Sequence, residues 1–317
     1  MKKTVIVTGA SGGIGAATSR YFAERGWAVV LAARSREKLA SLAAEIEATG
    51  GEALAVPTDV TVPAERARLV DRTLETYGRV DALINNAGLG LAGTVETLAL
   101  DDLDYVFQLN VLAPVALIQA VVPIMRRQGG GVIVNVSSLV EKLAAPYVGG
   151  YAASKAALGS LTDAAAEELA RDRIAVVKVR PGLTATGFER HTLASGVGLS
   201  LEQLLAQANF MTAVPAERVA ASIWEAVQSR KNQRCTSPRD RLLCWMARVA
   251  PGLTRGLLTV AAKRYVRASG EPSDATIKRD LRSLGAIVGA AVAGLGAIVA
   301  GVWLWVRRLS RRRRAGL

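Results

Sequence analysis

Cysteine, histidine and aromatic residues are scarce in this sequence. Its 317 residues include two cysteines, one histidine and 5% aromatic side chains. Two cysteines are too few for a disulfide scaffold, and Cys235 and Cys244 lack the further ligands that a zinc site needs. We therefore expect no metal, and we expect both cysteines to remain thiols in the cytoplasm.

A secretory signal is also missing from the amino-terminal residues. Lys2 and Lys3 are followed by only a short apolar run, Val5–Val7, before the chain becomes polar at Thr8. A signal peptide needs an apolar core of about 7–15 residues. The main body of the chain is therefore expected to fold in the cytoplasm.

Excess positive charge is absent from most of the chain, although the formal net charge is +13. Residues 1–230 contain 22 Lys and Arg against 23 Asp and Glu, whereas residues 231–317 contain 18 against 4. The body is thus electrically balanced, and the excess belongs to the C-terminal tail. A balanced body argues against a nucleic-acid partner, which would need a basic face.

Short apolar runs alternate with longer helical stretches through residues 1–238. The runs are continuous, which is typical of parallel strands covered on both faces. The predicted strands are Val5–Val7, Ala28–Ala33, Ala53–Val56, Ala82–Ile84, Val132–Val136 and Ile174–Val179. The predicted helices include Ala16–Arg25, Glu37–Thr49, Pro63–Tyr77, Asp101–Arg127 and Tyr151–Arg171. The pattern predicts an α/β fold, with one Rossmann-like domain over residues 1–238 built on a doubly wound parallel sheet.

A glycine-rich turn joins the first predicted strand to the first predicted helix. The segment Thr8-Gly9-Ala10-Ser11-Gly12-Gly13-Ile14-Gly15 has the spacing TGxxxGxG. Glycines at such a turn let backbone N–H groups approach a pyrophosphate, and the helix N-terminus adds the positive end of its dipole. The position of the turn indicates a dinucleotide site, although a tight turn without a ligand is the alternative.

The second predicted strand leads into Arg34, where NAD(H)-binding dinucleotide folds carry an acidic residue. The acid binds the ribose 2′-hydroxyl, whereas an arginine accommodates a 2′-phosphate. We therefore predict NADP(H) in preference to NAD(H). The alternative is that Arg34 and Arg36 are solvated loop charges.

Ser138 follows the fifth predicted strand, and Tyr151 and Lys155 follow it on one predicted helix. Because Tyr151 and Lys155 stand at i and i+4, the helix presents both on the same face. A tyrosine with a pKa of about 10 needs a stabilised anion to act as an acid or base at neutral pH. An ammonium group one turn away stabilises that anion. An ordinary amphipathic helix is the alternative for the pair by itself, and the preceding glycine turn argues against it.

Taken together, these motifs resemble the short-chain dehydrogenase/reductase family over about residues 3–230. They stand in the family's order: Thr8-Gly9-x-x-x-Gly13-x-Gly15, Asp59-Val60, Asn85-Asn86-Ala87-Gly88, Asn110, Ser138, Tyr151-x-x-x-Lys155 and Pro181-Gly182. The resemblance implies an oxidoreductase that interconverts a carbonyl and a secondary alcohol.

The resemblance also implies a role for each matching residue. Tyr151 is the expected general acid/base, and Lys155 is expected to lower its pKa and to bind the nicotinamide ribose. Ser138 is expected to position the substrate oxygen, and Asn110 to complete a proton relay through water. The expected cofactor-binding residues are Gly9, Ser11, Gly13, Ile14, Gly15, Arg34, Asp59, Val60, Asn86, Ala87, Gly88, Tyr151, Lys155, Pro181, Gly182 and Thr186.

Residues 183–214 correspond to the family's variable substrate lid. The segment contains the single histidine, His191, and the apolar residues Phe188, Phe210 and Met211. An ordinary loop role is favoured for His191 over a catalytic one. The apolar composition suits an apolar substrate, and equally suits ordinary packing.

An uncharged segment of 23 residues, 284–306, stands near the C-terminus. As a helix it is about 34 Å long, which is enough to cross a hydrocarbon core of about 30 Å. Trp303 and Trp305 lie near one end, as interfacial aromatics do, and six arginines follow. We predict a basic amphipathic region over 239–283, a transmembrane helix over 284–306 and an arginine-rich tail over 307–317.

Three properties of this tail stay open at the sequence level. The amphipathic region either lies on an anionic membrane surface or packs against the preceding domain. Small residues every four positions, from Gly285 to Gly301, suit a homo-oligomer of paired helices or reflect ordinary glycine and alanine richness. The positive-inside rule favours a cytoplasmic C-terminus, whereas use of NADPH favours a cytoplasmic catalytic domain. We favour the latter, with a single C-terminal anchor that crosses the bilayer or re-enters.

The leading hypothesis is a membrane-anchored, NADPH-dependent carbonyl reductase or alcohol dehydrogenase with a lipophilic substrate. The alternative is a non-catalytic, membrane-anchored scaffold of the same fold, against which the complete Ser–Tyr–Lys–Asn set argues. A nucleic-acid binder that uses the arginine tail is disfavoured by the balanced body and the adjacent apolar segment.

Overall fold

The computed structural model describes residues 2–143, 146–188, 192–195, 213–231, 234–252, 254 and 256. The chain divides into two compact units, Met1–Arg248 and Val249–Leu317. The predicted transmembrane segment, the arginine-rich tail and most of the basic region lie outside the described residues.

A single parallel sheet of seven strands organises the first unit. The strands are β1 Thr4–Thr8, β2 Ala28–Ala33, β3 Glu52–Pro57, β4 Ala82–Asn85, β5 Gly131–Val136, β6 Ile174–Arg180 and β7 Arg234–Cys235. Their order across the sheet is β7–β6–β5–β4–β1–β2–β3. The strand order reverses next to β1, and doubly wound sheets bind ligands at the carboxyl ends of the strands flanking such a point. The predicted Rossmann-like sheet is confirmed.

The continuous apolar character of the strands follows from burial on both faces. Every residue of β1 and β2 is buried. Val7 of β1 packs in one core cluster with Phe22 and Leu39. Its neighbour Ile6 packs in the cluster on the opposite face, with Leu69 among others. Side chains alternate between the two faces of a strand, so both clusters need apolar residues from the same short run.

Helices cover both faces of the sheet. The described helices are α1 Gly13–Ala23, α2 Arg36–Ala48, α3 Pro63–Tyr77, α4 Leu100–Phe107, α5 Ala113–Gln128, α6 Gly149–Glu168, α7 Ala216–Ser229 and α8 Pro238–Val249. Local sequence explains several of their ends. The Ser35 hydroxyl accepts a hydrogen bond from the Lys38 N–H at the start of α2. Pro63 occupies the first turn of α3, and Gly78, with φ of 70°, ends it in the left-handed region.

The predicted helix Asp101–Arg127 is continuous in the structure, but its hydrogen-bonding pattern changes midway. Helices α4 and α5 are joined by a five-residue π-helical stretch, Gln108–Leu112. Asn110 lies in that stretch and is fully buried. π-helical turns inside α-helices occur frequently at functional sites. The stretch places the Asn110 side chain in contact with Leu89 and Ser154.

The same stretch, Leu100–Gln128, is the one helix of the described residues that is long and apolar enough to span a membrane by length and composition. Leu117, Val121 and Met125 on this helix are buried in the core cluster against the sheet. Its apolar character therefore has a packing explanation.

The edge strand β7, which the sequence did not predict, brings the two cysteines together. Cys235 is the register partner of Arg180 on β6. The Sγ atoms of Cys235 and Cys244 are 3.6 Å apart. Their spacing along the sequence gave no indication of this contact, because it depends on the packing of α8 beside β7.

Helix α8 begins at Pro238, where the sequence placed the end of the domain, and the first compact unit runs to Arg248. Asp240 is buried and accepts a hydrogen bond of 2.8 Å from the Thr236 hydroxyl. Leu242 and Trp245 are more than half exposed, at 55% and 54%. The start of the predicted basic region thus packs on the domain and exposes apolar side chains on its other face.

Candidate active site

The glycine turn closes tightly between β1 and α1. Gly9 and Gly13 have φ values of 66° and 50°, in the region that favours glycine. A Cβ at Gly15 would overlap the carbonyl oxygen of Gly9. Gly12 differs, because a Cβ there would meet nothing within 4 Å. Three of the four glycines are therefore required by the turn itself, and the fourth borders open space.

Two predicted cofactor residues hold this turn in place. The Asn86 side-chain amide donates to the Thr8 carbonyl at 2.9 Å, and the Ala87 N–H donates to the Thr8 hydroxyl at 3.0 Å. On the other side, a Cβ at Gly13 would lie 2.9 Å from Cβ of Thr186. The segments after β1, β4 and β6 therefore meet at the start of α1.

The remaining residues around the start of α1 are half-buried or exposed. Gly12 is the N-cap of α1 and provides no side-chain cap. Ser11 is half-buried beside it, and the Ile14 side chain packs against the core. An uncapped helix N-terminus beside open space is the arrangement that binds phosphate groups in dinucleotide folds.

Residues at the ends of β2 and β3 line the same edge of the sheet. Arg34 is exposed, and its guanidinium donates to the Tyr105 hydroxyl at 3.3 Å. Val60 is buried. The Asp59 carboxylate accepts from the N–H and hydroxyl of Thr61, at 2.9 and 2.6 Å. Asp59 and Val60 are expected from the family resemblance to flank an adenine, and Asp59 also closes its own turn.

Ser138 and Tyr151 are brought together at the carboxyl end of β5. Ser138 begins a 3₁₀ turn, Leu139–Glu141, where its hydroxyl accepts a hydrogen bond from the Val140 N–H at 3.4 Å, and the same hydroxyl is close enough to the Tyr151 phenol to act on its pKa. The Tyr151 ring centroid lies 5.8 Å from that of Phe188 in the predicted lid. Burial raises the pKa of Tyr151 to about 12, and the polar Ser138 side chain opposes that rise.

Lys155 lies beneath Tyr151 on α6. It is buried, its Nζ lies 5.9 Å from the Tyr151 ring centroid, and it donates to the Val136 carbonyl at 3.0 Å. Burial lowers the pKa of Lys155 to about 8, and the negative charge of Glu141 opposes that fall. The family resemblance implied that Lys155 lowers the pKa of Tyr151. For the protein chain alone, the pKa of Tyr151 is raised instead, because desolvation of the phenol is the largest influence on it.

Asn110 joins the site through the loop after β4. Its side chain accepts from the Leu89 N–H and donates to the Leu89 carbonyl, both at 2.9 Å, and donates to the Ser154 hydroxyl at 3.0 Å. A Cβ at Gly88 would lie 3.1 Å from Oδ1 of Asn110 and 3.3 Å from Nζ of Lys155. Glycine at 88 therefore lets the loop pass close to both groups. The proton-relay role of Asn110 stays a prediction.

The loop after β6 contacts the Ser138 turn and α8. The Leu139 N–H donates to the Pro181 carbonyl at 3.0 Å. A Cβ at Gly182 would lie 2.5 Å from an oxygen of Asp240. Asp240, which the sequence did not single out, thus contacts a segment that carries predicted site residues. Glu141, also not singled out, accepts from Arg180, the residue before Pro181. His191, Phe210 and Met211 lie outside the described residues.

Comparison with known proteins agrees with this arrangement. The family model described as "short chain dehydrogenase" matches residues 3–195. The chain is 36% identical over 210 residues to the ketoacyl reductase HetN of Nostoc sp., covering 65% of this chain and 73% of that protein.

Two solved structures share the fold. The first is a short-chain dehydrogenase/reductase from Burkholderia phymatum in complex with NAD, with a TM-score of 0.74, 29% identity, and coverage of 80% of this chain and 95% of that chain. The second is a metagenomic short-chain oxidoreductase in complex with NADP, with a TM-score of 0.60, 32% identity, and coverage of 72% and 91%. Structural neighbours thus bind either dinucleotide.

Proposed function

Because this chain belongs to the short-chain dehydrogenase/reductase family of oxidoreductases, which act on CH–OH donors, we propose that it interconverts a lipophilic carbonyl and secondary alcohol with NADP(H) at a membrane. The observation that carries the proposal is the meeting of Ser138, Tyr151 and Lys155 at the carboxyl edge of the sheet. The glycine turn opens at the same edge.

The residues at this edge fit a dinucleotide. Gly9, Gly13 and Gly15 bring the backbone close at the start of α1, and Gly12 leaves open space there. Asn86 and Thr186 support the turn from opposite sides. These residues would hold the pyrophosphate and the nicotinamide end of the cofactor.

When bound, the cofactor supplies or accepts the hydride. In the reducing direction, the Ser138 hydroxyl holds the carbonyl oxygen of the substrate, and the Tyr151 hydroxyl donates a proton to that oxygen. The Lys155 ammonium stabilises the resulting phenolate. The effect of that charge is larger in a buried site than in water, because the surroundings screen it less.

Direct turnover measurements test the reaction and the substrate class. Purified protein with NADPH should reduce carbonyl compounds that carry long apolar chains or rings faster than small water-soluble ketones and aldehydes. Absorbance of NADPH gives the rate, and chromatography identifies the alcohol. Turnover of small carbonyls only, with no gain from apolar ones, would contradict the lipophilic substrate and leave the reaction class intact.

Arg34 is the residue proposed to select NADP(H). Replacing Arg34 by Ala should raise KM for NADPH by about tenfold and leave KM for NADH nearly unchanged, because a charge-assisted contact with the 2′-phosphate is lost. Steady-state kinetics with both cofactors check the ratio. Arg72→Ala is the matched control, since it removes the same charge from an exposed face of α3. An unchanged ratio in Arg34→Ala would refute the assignment.

The membrane part of the proposal is supported by the sequence of residues 284–306. Tethering the catalytic domain on the cytoplasmic side would keep it with NADPH and bring it to substrates that partition into the bilayer. The exposed side chains of Leu242 and Trp245, with Arg241 exposed beside them, are compatible with a nearby lipid surface.

Charged substitutions inside the segment test the anchor. The double variant Val292→Arg and Leu295→Arg should move the full-length protein from the carbonate-washed membrane pellet to the supernatant, because each central Arg costs about 2.5–3.5 kcal/mol. Leu295→Ile should stay in the pellet. Wild-type protein found in the supernatant would contradict the proposed membrane location. It would leave the proposed carbonyl–alcohol interconversion untouched.

A further inference from the structure

A buried group of charges lies directly behind the predicted catalytic residues. Glu141, Lys178 and Arg180 have side-chain exposures of 1%, 0% and 5%. Arg180 donates to both oxygens of Glu141, from Nε at 2.8 Å and Nη2 at 2.9 Å. Lys178 Nζ lies 3.3 Å from Oε1 of Glu141 and 2.8 Å from the carboxylate of Asp163. These four residues form an ion cluster.

The Glu141 carboxylate joins three segments that carry site residues. It sits on the turn that Ser138 begins. Its partner Arg180 is the last residue of β6 and directly precedes Pro181. The Glu141 carboxylate also accepts a hydrogen bond of 2.8 Å from the Ser137 hydroxyl. The Ser137 hydroxyl oxygen in turn lies 3.4 Å from the Lys155 carbonyl oxygen on α6. A bidentate pair of buried charges fixes such segments more closely than a single neutral hydrogen bond does.

Helix α6 rests on this carboxylate. A Cβ at Gly159 would lie 2.6 Å from Oε1 and 2.9 Å from Oε2 of Glu141, so the helix backbone contacts the carboxylate. Gly159 stands one turn after Lys155, on the same face of α6. Lys178 donates to the Gly159 carbonyl at 2.7 Å. Glu141 and Lys178 therefore both contact α6 one turn after Lys155.

The charge of Glu141 also acts on Lys155. Among the described residues, the side chains near Lys155 include the Tyr151 phenol and the neutral amide of Asn110. Glu141 itself is bordered by Arg180, Lys178 and the exposed Lys142. Burial lowers the pKa of Lys155 and the Glu141 charge raises it. Cys235 and Cys244 lie beyond Arg180 and act on that residue.

We infer that Glu141, held by Arg180 and Lys178, is a positioning residue for the proposed reaction: its carboxylate ties the Ser138 turn to α6 and so fixes the place of Lys155 beside Tyr151. The inference rests on the proposed function, because it assigns a role toward the residues of that same site. Glu141 touches no reacting atom in this role and acts through Lys155 and the Ser138 turn.

The direction of the pH effect follows from the charges. Reduction needs Lys155 as an ammonium and Tyr151 as a phenol. With pKa values of about 8 and about 12, Lys155 loses its proton first as the pH rises. Removing the Glu141 charge lowers the pKa of Lys155 further, so the alkaline decline of activity should begin at a lower pH.

The experiment compares the pH dependence of kcat/KM for carbonyl reduction in full-length wild type, Glu141→Gln and Glu141→Asp. Glu141→Gln should lower kcat by about tenfold to a hundredfold through misplacement of α6, with KM for NADPH changed by less than about threefold. The alkaline limb of its pH profile for kcat/KM should move to lower pH by about one unit, which is the size of pKa shift that a neighbouring charge produces. Glu141→Asp, which keeps the charge and shortens the reach, should return the limb to the wild-type position while kcat stays reduced.

A matched control separates this role from general destabilisation. The Asp81 carboxylate likewise accepts two hydrogen bonds of 2.7 Å from the guanidinium of an arginine, Arg79. This pair lies just before β4, at the end of the sheet opposite to the predicted active site. Asp81→Asn should lower the melting temperature without moving the alkaline limb. The inference fails if Glu141→Gln keeps the wild-type kcat and limb, or if Asp81→Asn moves the limb equally.

A second variant covers the case in which Glu141→Gln does not fold. Glu141→Leu combined with Arg180→Met replaces the ion pair by apolar side chains of similar length, which proteins often tolerate. The double variant removes one negative and one positive charge, so its alkaline limb should move less than that of Glu141→Gln, while kcat should fall because the link between the Ser138 turn and β6 is lost. A wild-type kcat in this variant would overturn the inference. Absence of NADPH-dependent turnover in wild type, by contrast, would refute the proposed function itself.

Discussion

Tyr151→Phe is expected to reduce kcat for carbonyl reduction by about a thousandfold, within the range for loss of a general acid. The substitution removes one oxygen atom and leaves the ring, so its contact with Phe188 is retained. The Ser138 hydroxyl keeps its hydrogen bond from the Val140 N–H on the turn after β5. Binding of NADPH should therefore weaken much less than kcat falls, since the phosphate-binding turn is untouched.

Single-turnover measurements separate binding from chemistry in this variant. NADPH fluorescence titration gives the dissociation constant, and rapid mixing with an active carbonyl substrate gives the rate of the chemical step. Ser160→Ala is a suitable control, because it removes a hydroxyl from an exposed position on the same helix. A Tyr151→Phe enzyme that turns over at nearly the wild-type rate would refute the proposed mechanism.

Gly15→Ala should disrupt both stability and cofactor binding. The added methyl group overlaps the carbonyl of Gly9 and comes within 2.8 Å of the Asn86 side-chain amide. Relief of that overlap requires α1 to move away from the turn. Overpacking of this kind costs about 1–3 kcal/mol, which corresponds to a fall in Tm of about 2–12 °C for a domain of this size. Loss of the close turn should also weaken NADPH binding by at least about tenfold.

Gly12→Ala provides the contrast within the same turn. Its backbone is extended, with φ of −179°, and a Cβ there meets nothing within 4 Å. Its melting temperature should stay within about 2 °C of wild type. Calorimetry measures both stabilities, and fluorescence titration measures NADPH binding. Equal loss of stability in the two variants would show that glycine content, rather than the overlap at position 15, governs the turn.

Much of the fold was predictable because its signals are local. The strand predicted at Ala28–Ala33 has those bounds in the structure, and the others differ by one or two residues at their ends. Buried parallel strands are continuous apolar runs, and such runs are visible in the sequence. Strand β7 was missed because it has two residues and pairs only at the edge of the sheet. The helix predicted at Asp101–Arg127 is continuous, and its π-helical stretch at Gln108–Leu112 was not predicted because the sequence shows no local signal for it.

The ion cluster could be predicted from the sequence only in part, because its contacts are tertiary. Lys178 and Arg180 stand at alternate positions in an otherwise apolar strand, so the sequence contained a signal that one face of β6 meets negative charge. The identity of the partner depends on how the Ser138 turn packs under α6. The raised pKa of Tyr151 was likewise unpredictable, because the extent of burial is a property of the assembled site.

The contact between Cys235 and Cys244 gives the edge of the sheet a natural chemical reporter. These are the two cysteines of the chain, so a thiol-specific reagent labels this edge without any engineered residue. Their labelling rate reports local opening of β7 and α8, whereas loss of the aromatic packing between Trp27 and Trp224, 6.0 Å apart, reports unfolding of the core. Comparing the two signals distinguishes a variant whose edge has loosened from one whose whole domain has become unstable.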